Sequence, residues 1–171
     1  MKRILAFAAL VLSLSSCIVV VPENNPPARP VVVNTAPTRP SVANIIQDFQ
    51  PTRGNGAVYR VGESITLRMT LARAGFVTLV FYNDGALPDY EIRNIAVQAG
   101  VNLMPNNNTL VAAEPVGITR VRAFYTPQPN STISFLNGRG VSFLEDTTNT
   151  WLNAYPPELR DVKDAFIRVS R

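Results

Sequence analysis

From Ser64 to Leu71 apolar and polar residues alternate without a break: Ile65, Leu67, Met69 and Leu71 on one parity, Ser64, Thr66, Arg68 and Thr70 on the other. Only an extended chain, with successive side chains pointing to opposite sides, gathers all four apolar groups on one face, so this stretch must be a strand with one face buried and one wet. Four residues later, Phe76–Tyr82 is continuously apolar, aromatic or β-branched and predicts a central strand. Ala74-Gly75 connects the two, and Asn83-Asp84-Gly85 closes the second with a hairpin-type turn signal.

Further strand-like runs are Ala57–Val61, Tyr90–Val97, Asn108–Ala112, Ile118–Tyr125, Thr132–Leu136, Val141–Leu144 and Phe166–Ser170, separated by Gly, Asn and Pro turns. About eight short strands without long helices between them predict an all-β fold, a single antiparallel β-sandwich over residues 44–171. One short C-terminal helix is expected across Pro156–Ala165, where proline and acid open the stretch and Lys163 stands near its end; a loop is the alternative. A domain of this size buries enough surface to fold without disulfides.

The N-terminus is of another kind. Met1-Lys2-Arg3, the apolar run Ile4–Leu14 and the small residues Ser15-Ser16 have the parts of a secretory signal, residues 1–16, and the run is too short for a membrane-spanning helix. Leu14-Ser15-Ser16-Cys17 resembles the lipobox of bacterial lipoproteins, in which the cysteine thiol receives a diacylglyceryl group and the freed amine is often acylated. Cys17 is the one cysteine of the chain and stands where that pattern needs it, so lipidation is expected there; the bland reading is an ordinary signal peptide with an incidental cysteine. Lipid chains contribute about 0.8 kcal/mol per buried methylene, enough for two or three to hold a protein on a membrane. Ile18, in place of Asp, points by the same resemblance to the outer membrane.

Residues 17–43 hold six of the 14 prolines: Pro22, Pro26, Pro27, Pro30, Pro37 and Pro40. Each fixes its own φ and pushes its predecessor extended, so the segment is expected to be a disordered, semi-rigid tether reaching on the order of 80 Å. Val31-Val32-Val33 could instead pair as an edge strand against a partner.

Val61-Gly62-Glu63, Gly75–Val80, Asp84-Gly85 and Leu103-Met104-Pro105-Asn106 resemble the bacterial family described as domain of unknown function 4384. Gln50–Gly54 and Leu159–Lys163 look like segments of its lipoprotein members from stress-resistant bacteria with layered envelopes. The likeness runs over about residues 46–170. It implies an immunoglobulin-like sandwich displayed in the cell envelope, and it brings no catalytic residues.

The chain has no histidine, which removes the commonest general base and transition-metal ligand, and a lone cysteine can build neither a disulfide nor a thiolate cage. Once Lys2 and Arg3 leave with the signal, 14 basic residues face 12 acidic ones, a net charge of +2 that is no nucleic-acid footprint. Arg120 and Arg122 sit two apart, hence on one strand face, with Arg139 in the turn Asn137–Gly140; they are candidate partner contacts if not a solvated sheet face. Trp151 and Tyr155, near Pro156-Pro157, are a second candidate contact, with core capping as the alternative. Asp84, Asp89 and Glu91 could offer oxygen ligands to calcium, although turn chemistry explains Asp84 by itself. Asn130-Ser131-Thr132 matches a glycan acceptor, which a bacterial lipoprotein gives little reason to use.

The expected function is a lipid-anchored binding or structural module of an envelope assembly, a surface layer or an outer-membrane protein complex, with no cofactor and no nucleic-acid partner. Two alternatives remain at this stage. One is a metal-dependent redox enzyme of superoxide-dismutase type, for which Asp, Glu, Tyr, Met69, Met104 or backbone oxygens would have to replace histidine. The other is a small-ligand-binding or inhibitor lipoprotein.

Overall fold

The computed structural model describes residues 40–83, 87–106, 109–130, 134–136 and 141–171. Cys17, nearly all of the tether, Asp84, Gly85, Arg139 and Ser131-Thr132 lie outside the described residues.

The fold is all-β and sandwich-like. Among the described residues its strands are β1 (Ile46–Pro51), β2 (Ala57–Arg60), β3 (Ser64–Ile65), β4 (Leu67–Leu71), β5 (Gly75–Asn83), β6 (Leu87–Val97), β7 (Gly100–Met104), β8 (Leu110–Val111), β9 (Gly117–Thr126) and β10 (Asp161–Ser170), with one α-helix, α1 (Val141–Asn153). A three-stranded sheet, β1-β4-β7, faces a five-stranded sheet, β2-β10-β9-β5-β6, and β3 pairs with β8. The alternating stretch behaves as its period demands: Ile65, Leu67, Met69 and Leu71 are all buried. At Thr66 the strand changes partners, from β8 to β1 and β7, while keeping one inward face.

The main core fills the space between the sheets. Phe49, Leu67, Met69, Leu71 and Met104 come from the smaller sheet; Val77, Leu79, Val121, Ala123, Tyr125, Ala165, Ile167 and Val169 come from the larger. A second apolar cluster lies on the opposite face of the five-stranded sheet, where Val80, Tyr82 and Phe124 pack against Phe135 and against Leu144, Trp151 and Leu152 of α1. Two covered faces explain why Val77–Tyr82 is buried at every position instead of alternating.

Several expectations need correction. The pairing is not wholly antiparallel, because β2 runs parallel to β10. Val141–Leu144 is the first turn of α1, not a strand. Leu144, Thr148, Trp151, Leu152 and Tyr155 recur at helical spacing, and that stripe outweighs the poor helix propensity of Thr147-Thr148-Asn149-Thr150. The expected helix at Pro156–Ala165 is a short 3-10 turn, Pro157–Leu159, followed by β10. There Ala165, Ile167 and Val169 alternate inward, and pairing with β9 and β2 decides the conformation. Of Thr132–Leu136, Ser134–Leu136 forms a bend, with Phe135 stacked on Phe124 at 4.4 Å between ring centroids. β1 and β7 were not anticipated.

The N-terminal entry is fastened to the start of β10. Asp161 accepts hydrogen bonds from the backbone N–H groups of Ile45 and Ile46, both at 2.7 Å. Arg160 donates to Ser41 O at 2.9 Å and to Tyr155 O at 2.9 Å, and also to Leu152 O, so a buried cation closes the carbonyl end of α1. Burial pushes the Asp161 carboxyl above its usual range, against the pull of those N–H donors and of Lys163.

Candidate functional site

Arg120 and Arg122 share the outer face of β9, as their spacing predicts, but α1 lies over Arg122. Its side chain is 1% exposed. Nε and Nη2 donate to the two carboxylate oxygens of Asp164 at 2.7 and 3.0 Å, and Nη1 donates to Thr148 Oγ1 at 3.2 Å and Glu145 Oε1 at 3.3 Å. Burial alone would push the guanidinium down; hydrogen bonding to Asp164 and the charges of Asp164 and Glu145 outweigh it and hold the pKa above the ordinary value. Arg122 is therefore a buried structural ion pair and not a surface contact. Arg120 remains half-buried at the edge of this cluster, its Nη1 3.9 Å from Asp164.

Trp151 is likewise withdrawn from the surface. It is fully buried, edge-on to Phe124 at 4.7 Å and 5.7 Å from the Tyr155 ring. The core-capping alternative describes it. Tyr155 is partly buried, and burial pushes its phenol up.

Among the described residues the carboxylates do not assemble as a cation site. Asp84 lies outside the described residues, Glu91 pairs with Arg93 at 2.7 Å, and among the described residues no three Asp, Glu, His or Cys side chains stand together. Met69 and Met104 sit fully buried in the apolar core between the sheets. Asn130 is buried as well: its N–H donates to Asn94 Oδ1 at 2.8 Å and its carbonyl accepts from Asn94 Nδ2 at 3.1 Å.

Two surfaces that sequence reasoning missed remain open. The first is a cleft of about 350 Å³ at one end of the sandwich. Ile65, Leu110, Val111, Ile167 and Val169 make its walls apolar, and Asn83, Asp89, Tyr90, Thr109 and Thr119 supply polar groups. Thr119 Oγ1 is 3.3 Å from Asn83 Oδ1, and the Tyr90 ring lies 5.8 Å from that of Phe81. Tyr90 is 51% exposed. Asp89 and Tyr90 are neighbours on β6 and would point to opposite faces of a regular strand. The register with β5 slips between Phe81↔Tyr90 and Tyr82↔Pro88, leaving Asp89 unpaired in a bulge, and both side chains line the cleft. No residue pattern announces such a bulge in advance.

The second is the part of the outer sheet face that α1 leaves bare. Cross-strand neighbours Val58, Arg168 and Ile118 form one row across β2, β10 and β9, and Phe166 with Arg120 forms the next. Val58, Ile118, Phe166 and Arg168 are exposed, and these two rows hold no Asp or Glu; Asp164 of β10 stands in the row beyond, opposite Arg122. In the sequence the signal was apolar residues on both parities of β9 and β10, which reads equally well as a fully buried strand.

Comparison with protein-family models, with curated proteins and with solved structures found no match to this chain.

Proposed function

We propose that this chain is a lipid-anchored envelope protein whose sandwich serves as a binding module of an envelope assembly, a surface layer or an outer-membrane protein complex. The anchor rests on Leu14-Ser15-Ser16-Cys17 after a short apolar run. The observation that carries the binding role is the bare face of β2, β10 and β9, where Val58, Ile118 and Phe166 stand exposed around Arg168 with no carboxylate among them. A contiguous apolar patch with uncompensated arginine suits a partner surface that offers acidic and apolar groups together.

A photo-crosslinking residue at Ile118 in intact cells tests this. A discrete envelope-protein adduct that disappears in Arg168→Glu, and a mature N-terminus at Cys17 carrying acyl mass, are the expected results. An adduct insensitive to Arg168→Glu, or a mature chain without acyl mass, removes the docking role or the anchor respectively. A second reading, a small-ligand-binding lipoprotein, draws support from the cleft beside Tyr90.

A further inference from the structure

We infer that the end cleft binds a small organic cation, a primary ammonium group carried on an apolar chain; this rests on the ligand-binding reading of the same cleft. Asp89 is the charged residue among its described lining, and neither Lys nor Arg lines it. Asp89 is exposed, and among the described residues it has no ion-pair partner. The bulge in β6 sets this carboxylate beside the half-exposed ring of Tyr90, and the two together meet the needs of an ammonium head: an anion for its charge and an aromatic face for its C–H and N–H groups.

Desolvation chooses among ligand classes. An occupant of this cleft of about 350 Å³ that reaches Asp89 displaces part of the water around its carboxylate. A neutral occupant leaves that carboxylate less well solvated with no charge in return, and an anionic one adds repulsion with no cation nearby to relieve it. A cation offsets the loss by direct pairing. The rest of the lining accepts an apolar tail, since the buried Ile65, Ile167 and Val169 line the cleft together with Leu110. The cleft volume sits at the small end of the range for ligand pockets, which suits a short chain and not a polymer.

Titration of the full chain with hexylammonium, hexanol, hexanoate and N-acetylglucosamine, followed by backbone amide NMR, tests the inference because the first three probes share one tail and differ in the head. Hexylammonium should shift the amides of Tyr90, Leu110 and Thr119 and bind about tenfold more tightly than hexanol, with hexanoate weakest. In Asp89→Asn the preference for hexylammonium over hexanol should vanish while hexanol binding stays, and Tyr90→Ala should weaken hexylammonium severalfold. Both positions are solvent-exposed, so the variants should keep the fold, which the unshifted amides of the core report directly. Equal binding of hexylammonium and hexanol, or preferential binding of the sugar, overturns the cation assignment and leaves the cleft a ligand site. No shift at cleft amides with any probe overturns both readings.

Discussion

Replacing Arg122 by Met keeps an aliphatic stem under α1 and removes the fork that joins β9, β10 and the helix. Asp164 would lose donors at 2.7 and 3.0 Å, Glu145 one at 3.3 Å, and the fully buried Thr148 hydroxyl a partner at 3.2 Å. Removing one member of a buried ion pair typically costs about 3–5 kcal/mol, because the other charge is left without compensation. Asp164 is 23% exposed, so solvent screens part of that charge and the expected loss is at the lower end, about 3 kcal/mol. Urea unfolding followed by the fluorescence of Trp151, the one tryptophan and a core residue of the helix–sheet interface, reads the change as a shift in midpoint at constant slope. Arg122→Met combined with Asp164→Leu should recover most of the loss, since an apolar pair of similar volume is close to neutral in such a site. A single-variant loss below about 1 kcal/mol, the worth of an exposed pair, would refute the reasoning, as would a double variant no more stable than the single one.

Two further perturbations follow from the same sheet. Burial raises the Tyr82 phenol well above its ordinary value of 10.0, and its hydroxyl has no hydrogen-bond partner among the described residues. A folded pKa above the unfolded one means that the contribution is complete below about pH 10 and is lost as pH rises beyond it. Tyr82→Phe should therefore leave stability at neutral pH within about 1 kcal/mol and move the alkaline unfolding transition upward, a shift that pH titration of circular dichroism measures. A Cβ on Gly75 would stand 2.5 Å from the Tyr125 ring and 2.7 Å from Thr126 O. Gly75→Ala must push β5 away from β9 and should cost about 1–3 kcal/mol in urea unfolding; unchanged stability would mean that the two strands do not approach so closely.

Strand was legible both in Ser64–Leu71 and in the doubly apolar Phe76–Tyr82, but which faces are covered was legible only where the two faces differ. Ser64–Leu71 alternates because one side packs and the other meets water, so its period alone fixed strand and face. In β9 and β10, apolar or charged residues occupy both parities, because half of the outer face is under α1 and half is bare. Arg122 shows the limit most clearly: its spacing from Arg120 put both on one face, but whether that face is wet depends on where α1 docks. The stripe that docks the helix was present at Leu144, Thr148, Trp151, Leu152 and Tyr155. It was obscured by β-branched residues that favour strands locally and are overruled by burial against Phe124 and Val80. The cleft was illegible for another reason. It depends on a one-residue slip in pairing at Asp89, and register is a property of two strands together.

The same two strands carry both open surfaces, and their pleat keeps the surfaces apart. On β9, Ile118 points to the bare outer face and Thr119 into the cleft; on β10, Arg168 points outward, between Ile167 and Val169, which line the cleft. Alternation of this kind sets the two surfaces back to back across one thickness of sheet. A macromolecule seated against Val58, Ile118 and Phe166 leaves the mouth beside Tyr90 uncovered, so docking and ligand capture do not compete for the same side chains. Helix α1 determines this division: its apolar stripe closes the rows through Phe124 and Arg122 and stops short of the row through Ile118. The contacts of Arg122 with Asp164, Glu145 and Thr148 add to this apolar packing in holding α1 over Phe124 and away from Ile118.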